Sequence, residues 1–109
     1  MKFSDSSHIH FTGIKGVGMT ALAFAYQDQG WEIQGSDTSE AQITDEPLKK
    51  RKIKVCSRFT PRNISKIENS KWKPIIDKLI YTGAHHGFHN VEVRWARSRG
   101  IPIQNYAQA

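Results

Sequence analysis

The sequence has 109 residues, enough for one domain and not two, and its 38% hydrophobic content and mean hydropathy of −0.58 suit a compact soluble fold. No apolar run reaches the roughly 20 residues of a membrane-spanning helix. Residues 1–7 lack the apolar stretch of a secretory signal, and the lone Cys56 excludes an internal disulfide, so the chain reads as cytoplasmic with no membrane partner. The net charge of +6 favours anionic partners without choosing among them.

In chain order the pattern alternates strand and helix. Residues 8–12 form a β-rich run that ends at Gly13. Over residues 18–29, Met19, Leu22, Ala23 and Tyr26 recur at helical spacing, and Gly30 supplies the stop. Residues 31–35 read as a second strand. A helix is expected over residues 44–51, capped by Thr44, with Asp45 and Glu46 at its positive end and Pro47 in its first turn. Residues 53–56 form a third strand, residues 61–67 a short helix, and residues 69–74 an exposed loop. Residues 77–82 make a fourth strand. Residues 90–99 make a helix with Val91, Trp95 and Ala96 turned inward. Residues 101–103 make a fifth strand, which Pro102 confines to an edge or to its start. This order predicts one α/β domain over residues 1–109, a Rossmann-like three-layer fold around a mostly parallel five-stranded sheet.

The most informative segment joins the first strand to the first helix through Gly13, Ile14, Lys15, Gly16, Val17, Gly18 and Met19. A glycine-rich turn that opens a helix directs unpaired N–H groups and the positive end of the helix dipole at one spot, which suits a diphosphate. A side chain on these glycines would block close approach. The dinucleotide pattern G-x-G-x-x-G fails because position 15 is Lys15. The pattern G-x-x-x-x-G-K-[ST] matches Gly13, Gly18 and Thr20 but has Met19 in place of the phosphate-binding lysine, which excludes a P-loop NTPase. Asp37, just past the second strand in Gly35-Ser36-Asp37, is placed to accept hydrogen bonds from ribose hydroxyls, and as a turn residue it is expected to be solvated. An NAD(P)-binding domain of an oxidoreductase uses nearly the same physics and is the alternative; the G-x-x-G-x-G order counts against it.

Together with Tyr81-Thr82-Gly83-Ala84-His85, these motifs resemble the N-terminal domain of Mur ligases over essentially the whole chain, and Val17-Gly18-Met19 favours the alanine-adding branch. The resemblance implies an ATP-dependent acid–amino-acid ligase of peptidoglycan synthesis, in which this domain binds UDP-N-acetylmuramate. ATP and Mg2+ belong to a central ATP-binding domain of the same protein, and a third domain binds the amino acid. It also implies that residues 13–19 hold the diphosphate, that Asp37 meets ribose or uracil, and that Thr82, Gly83, Ala84 and His85 lie near the sugar. No catalytic residue and no cofactor are expected in this domain, which alone should be inactive. Two departures stand out. Lys15 replaces a common glycine, either adding a cation for the diphosphate or pointing to solvent. Phe59 stands where many members carry a nucleotide-contacting histidine.

Other groupings read as structural. His85, His86 and His89 cluster, but adjacent imidazoles diverge and neither Cys56 nor a carboxylate completes a ligand set, so no metal is expected. His8 and His10 share one strand face in ordinary structural roles. Trp31, Trp72 and Trp95 read as packing residues, and Cys56 as a buried, inert thiol. The basic stretch Lys49, Lys50, Arg51, Lys52 and Lys54 reads as a solvated helix end and not as a nucleic-acid patch, because no aromatic residues interleave with it.

Overall fold

The computed structural model describes residues 7–108; the N-terminal residues 1–6, read above as carrying no secretory signal, lie outside the described residues. Five strands, β1 (His8–Thr12), β2 (Glu32–Ser36), β3 (Lys54–Cys56), β6 (Lys78–Tyr81) and β7 (Ile103–Asn105), form one sheet. Its order is β3-β2-β1-β6-β7 and every pairing is parallel. Helices α1 (Val17–Asp28), α2 (Asp45–Lys50) and α3 (Val91–Ser98) connect the strands. Strands β4 (Ser65–Glu68) and β5 (Lys71–Pro74) pair separately as an antiparallel hairpin.

Strand periodicity sorts side chains onto two faces. Ile9, Phe11 and Ile80 point to one face, where they meet Met19 and Ala23 of α1 and Leu48 of α2. Leu79 and Tyr81 point to the other and meet Val93 and Ala96 of α3 with Ile64 and Ile101. Helices therefore cover both faces, giving the expected three layers. Phe11, Ile9 and Leu79 are fully buried, each contributing about 1.5–3 kcal/mol relative to exposure. The chain runs outward from β1 to β2 and β3, then returns to β6 on the opposite side of β1. This reversal opens a crevice beyond the C-terminal ends of β1 and β6, the usual ligand position in open α/β sheets.

Several local expectations are corrected. Residues 61–67 are not a helix: a single 3-10 turn, Pro61–Asn63, is capped by the Thr60 hydroxyl, and the chain then extends into β4. The segment 69–74 is no loop, because Asn69 (φ 53°) and Ser70 (φ 64°) make a two-residue turn with both residues left-handed, the geometry that matches strand twist in a hairpin. Thr44 precedes α2 but makes no side-chain cap; its hydroxyl donates to the Lys15 carbonyl at 2.7 Å instead. Val91 is 45% exposed, and Glu92 and Val93 face inward in its place. The last strand begins at Ile103, at the sheet edge, with Pro102 just before it. Among the described residues no helix is long and apolar enough to cross a membrane.

Candidate functional site

The glycine turn follows β1 and is fixed from several sides. Gly13 (φ 90°) and Ile14 both donate their amides to the Ser36 carbonyl, at 2.9 and 3.1 Å, which ties the turn to the end of β2. The carbonyls of Ile14 and Lys15 accept from the Thr20 and Thr44 hydroxyls, each at 2.7 Å. Those oxygens are therefore already engaged. The first intrahelical bond of α1 runs from the Thr20 amide to the Gly16 carbonyl, and no side chain caps the helix. The amides of Val17, Gly18 and Met19 consequently have no partner among the described residues. Three free N–H groups at the positive end of a 12-residue helix form a spot chemically suited to an anion.

The glycines do different work. A Cβ on Gly13 would lie 2.7 Å from the Thr82 Cγ2, so the turn and the loop after β6 touch here, and φ at Gly13 also favours glycine. A Cβ on Gly18 would overlap the Tyr106 hydroxyl and ring, and one on Gly35 would strike Ile14. Gly16 has ordinary backbone angles (φ −59°, ψ 140°), and its nearest atom is 3.8 Å from a built Cβ. Of these four glycines, Gly16 alone has a missing side chain that the protein's own packing does not explain.

Asp37 is not solvated. It is 4% exposed, and its carboxylate accepts from the Lys15 amide at 2.9 Å and from its neighbour Thr38 at 2.7 Å. His85 Nε2 lies 3.4 Å from the same carboxylate, and its ring packs on Phe59 at 5.0 Å between centroids. Lys15, Gly16, Asp37, Thr38, Gln42 and His85 surround a cavity of about 210 Å3. Thr82 is half-buried against Gly13, whereas Gly83 and Ala84 are exposed, away from the cavity's lining. His85 and His86 both adopt left-handed angles (φ 56° and 71°). Lys15 does not point to solvent: its ammonium donates to the Glu40 carbonyl at 2.9 Å and pairs with Asp45 at 3.1 Å, bracing the turn against α2. Backbone hydrogen bonding from Gln42, aided by Lys15, holds the Asp45 carboxyl below its usual value.

A buried carboxylate lies behind these loops, and sequence reasoning missed it. Glu92, in the first turn of α3, is fully buried. Its Oε1 accepts from His10 Nε2 (2.9 Å), the Thr12 hydroxyl (2.8 Å) and the Ser36 hydroxyl (2.6 Å). Its Oε2 accepts from the Thr60 amide (3.1 Å) and the Asn63 side chain (2.7 Å). The Gln34 amide donates to His10 Nδ1 at 2.8 Å and to the Asn63 carbonyl, so the imidazole carries its proton on Nε2. Burial pushes the Glu92 carboxyl up, but the hydrogen bonds from His10, Ser36 and Asn63 outweigh it and hold the group below the usual range. The available signal was polar spacing: His10 and Thr12 alternate on one strand face opposite an acidic residue at the start of a helix.

The remaining candidates are structural. Among the described residues no set of His, Cys, Asp and Glu converges to hold a metal. His89 packs against Phe88, and the His8 amide binds Asp77 at 2.7 Å. Cys56 is half-buried and not buried as expected; burial pushes its thiol up, which disfavours the thiolate. Trp31 packs edge-on against Tyr26, Arg99 lies over Trp95, and Arg62 over Trp72. Lys49 and Lys50 occupy the last turn of α2, and Arg51 stacks on Phe24 while pairing with Asp28. Met19 is buried and the Thr20 hydroxyl is engaged with Ile14, so this turn does not suit a nucleoside triphosphate with its metal.

The family model described as "Mur ligase family, catalytic domain" matches residues 8–109. The chain is 35% identical over 102 residues to a UDP-N-acetylmuramate–L-alanine ligase of Desulfitobacterium hafniense, covering 93% of this chain and 20% of that protein. It is 36% identical over 106 residues to the enzyme of the same name from Agathobacter rectalis, covering 97% and 21%. The crystal structure of a UDP-N-acetylmuramate–alanine ligase from Thermotoga maritima superposes with a TM-score of 0.73 at 30% identity, over 92% of this chain and 21% of that one. The chain thus spans about a fifth of the length of the curated relatives it matches.

Proposed function

The chain belongs to the Mur ligase family, and on that footing we propose that it is the UDP-N-acetylmuramate-binding N-terminal domain of a UDP-N-acetylmuramate–L-alanine ligase. The observation that carries this reading is the cluster of three unpaired amides, Val17, Gly18 and Met19, beside the cavity that Gly16, Asp37 and His85 line. The diphosphate would sit on those amides over Gly16, the one glycine of the turn whose missing side chain serves no internal contact. In this reading Asp37 and the His85 ring, which line that cavity, would meet the nucleoside, and the loop from Thr82 to His85 would lie near the sugar.

In the whole protein this domain would present the muramyl carboxylate to a central ATP- and Mg2+-binding domain, where it is activated as an acyl phosphate for attack by the alanine amine. Such a protein acts in the cytoplasm, in peptidoglycan synthesis, and this domain alone would neither hydrolyse ATP nor form the peptide bond. The names of the relatives support this reading. Calorimetric titration with UDP-N-acetylmuramate, NAD and single-stranded DNA tests it. Uridine nucleotide should bind and the other two should not; tighter binding of NAD would replace this reading with an oxidoreductase-type dinucleotide domain.

A further inference from the structure

We propose that Glu92 is the positioning residue that sets the ligand-facing loops of this domain against one another. Three of its partners stand beside loops that reach the crevice. Thr12 precedes Gly13, Ser36 precedes Asp37, and Thr60 follows Phe59, whose ring packs on His85. The arms are extended by the backbone: the Ser36 carbonyl holds the Gly13 and Ile14 amides, and the Asp37 carboxylate holds that of Lys15. The same helix start secures the fourth loop, because the Asn90 side chain that caps Glu92 also donates to the His85 carbonyl at 2.9 Å.

Packing alone gives no reason for a carboxylate here, since apolar side chains of similar volume usually fill such a position at equal or better stability. An apolar residue could not accept five hydrogen bonds from three separate segments. The donors come from β1, from β2 and from the turn after β3, and one carboxylate fixes the distance among all three. Glu92 touches no ligand in this arrangement; it acts through the loops.

The proposal rests on the nucleotide-site reading only for the consequence in binding, so the test has two readouts on the 109-residue chain: amide hydrogen exchange without ligand, and calorimetric titration of UDP. Glu92→Gln places an amide NH2 against fixed donors on one side of the hub. Ser36→Ala and Asn63→Ala each free one arm and decide the matter if the Gln variant fails to fold. In each folded variant the freed loop should exchange at least about tenfold faster while the amides of β6 stay at wild-type rates. The freed loop is residues 37–38 for Ser36→Ala and residues 58–60 for Asn63→Ala. UDP should bind at least about tenfold more weakly to each. Wild-type exchange at the loops, or a uniform rise over the whole sheet as from a merely structural role, overturns the proposal. If the unaltered chain binds no UDP, the nucleotide reading falls, and the exchange map alone decides for or against Glu92.

Discussion

Replacing Asp37 by alanine should destabilise the domain, contrary to what a solvated turn residue would do. The carboxylate is 4% exposed and accepts two backbone amides. Thr38, the adjacent residue, can turn its N–H to water after the substitution. The Lys15 amide cannot, because its carbonyl and ammonium are both anchored to the segment around α2. One charge-assisted hydrogen bond is therefore lost with its donor stranded, a cost of about 1.5–3 kcal/mol. For a domain of this size each kcal/mol moves the thermal midpoint by about 4 °C or more, so Asp37→Ala should melt at least about 6 °C below wild type. Asp37→Asn keeps an oxygen for the Lys15 amide and should recover about half of the loss. Thermal and urea unfolding followed by circular dichroism, with an unchanged urea m-value, measures this directly. A midpoint for Asp37→Ala within about 1 °C of wild type would show that the carboxylate does not hold the turn, and the account of the loop would be wrong.

Three further outcomes are expected. Gly13→Ala should cost about 1–3 kcal/mol, through left-handed strain and the close approach to Thr82, whereas Gly16→Ala should fold with near wild-type stability and lose affinity for UDP; parallel unfolding and titration of the two separates structural from ligand-facing glycine. Because the folded Glu92 carboxyl is held below its ordinary value of 4.5, its contribution to stability is fully present above that pH and is lost as pH falls through the folded value; urea unfolding from pH 7 to pH 3 should show this acid limb, and Glu92→Gln should flatten it. Ser70→Gly should stabilise the β4–β5 hairpin by about 0.5–1 kcal/mol, since Ser70 sits at φ 64°; an unchanged or lowered urea midpoint would count against the turn geometry.

The parallel sheet and both helical faces were legible because apolar spacing and glycine stops repeat down the chain, as at Met19, Leu22, Ala23 and Gly30. The glycine turn was legible because its backbone needs are written in residue type. The hairpin was not: between Lys66 and Lys73 both apolar side chains, Ile67 and Trp72, are exposed, so no buried face marked the alternation. Thr44 illustrates a second limit, since a hydroxyl that could cap its own helix serves a carbonyl 29 residues away. Glu92 illustrates a third. A charge in a helical first turn reads as a solvated partner of the dipole, and only the tertiary fold, which brings it to His10 from 82 residues away, reveals it as buried.

The two outer strands of the sheet, β3 and β7, are three residues each, and the separate hairpin is lined by Lys66, Lys71 and Lys73. Unpaired strand edges invite other chains to add on, and short or lysine-bearing edges are how soluble proteins refuse them. A domain with three unpaired amides at the start of α1 thus offers, among its described residues, only short or lysine-bearing strand edges. At high concentration it should remain dispersed, without recruiting copies of itself edge to edge, and light scattering that stays flat as concentration rises would bear this out.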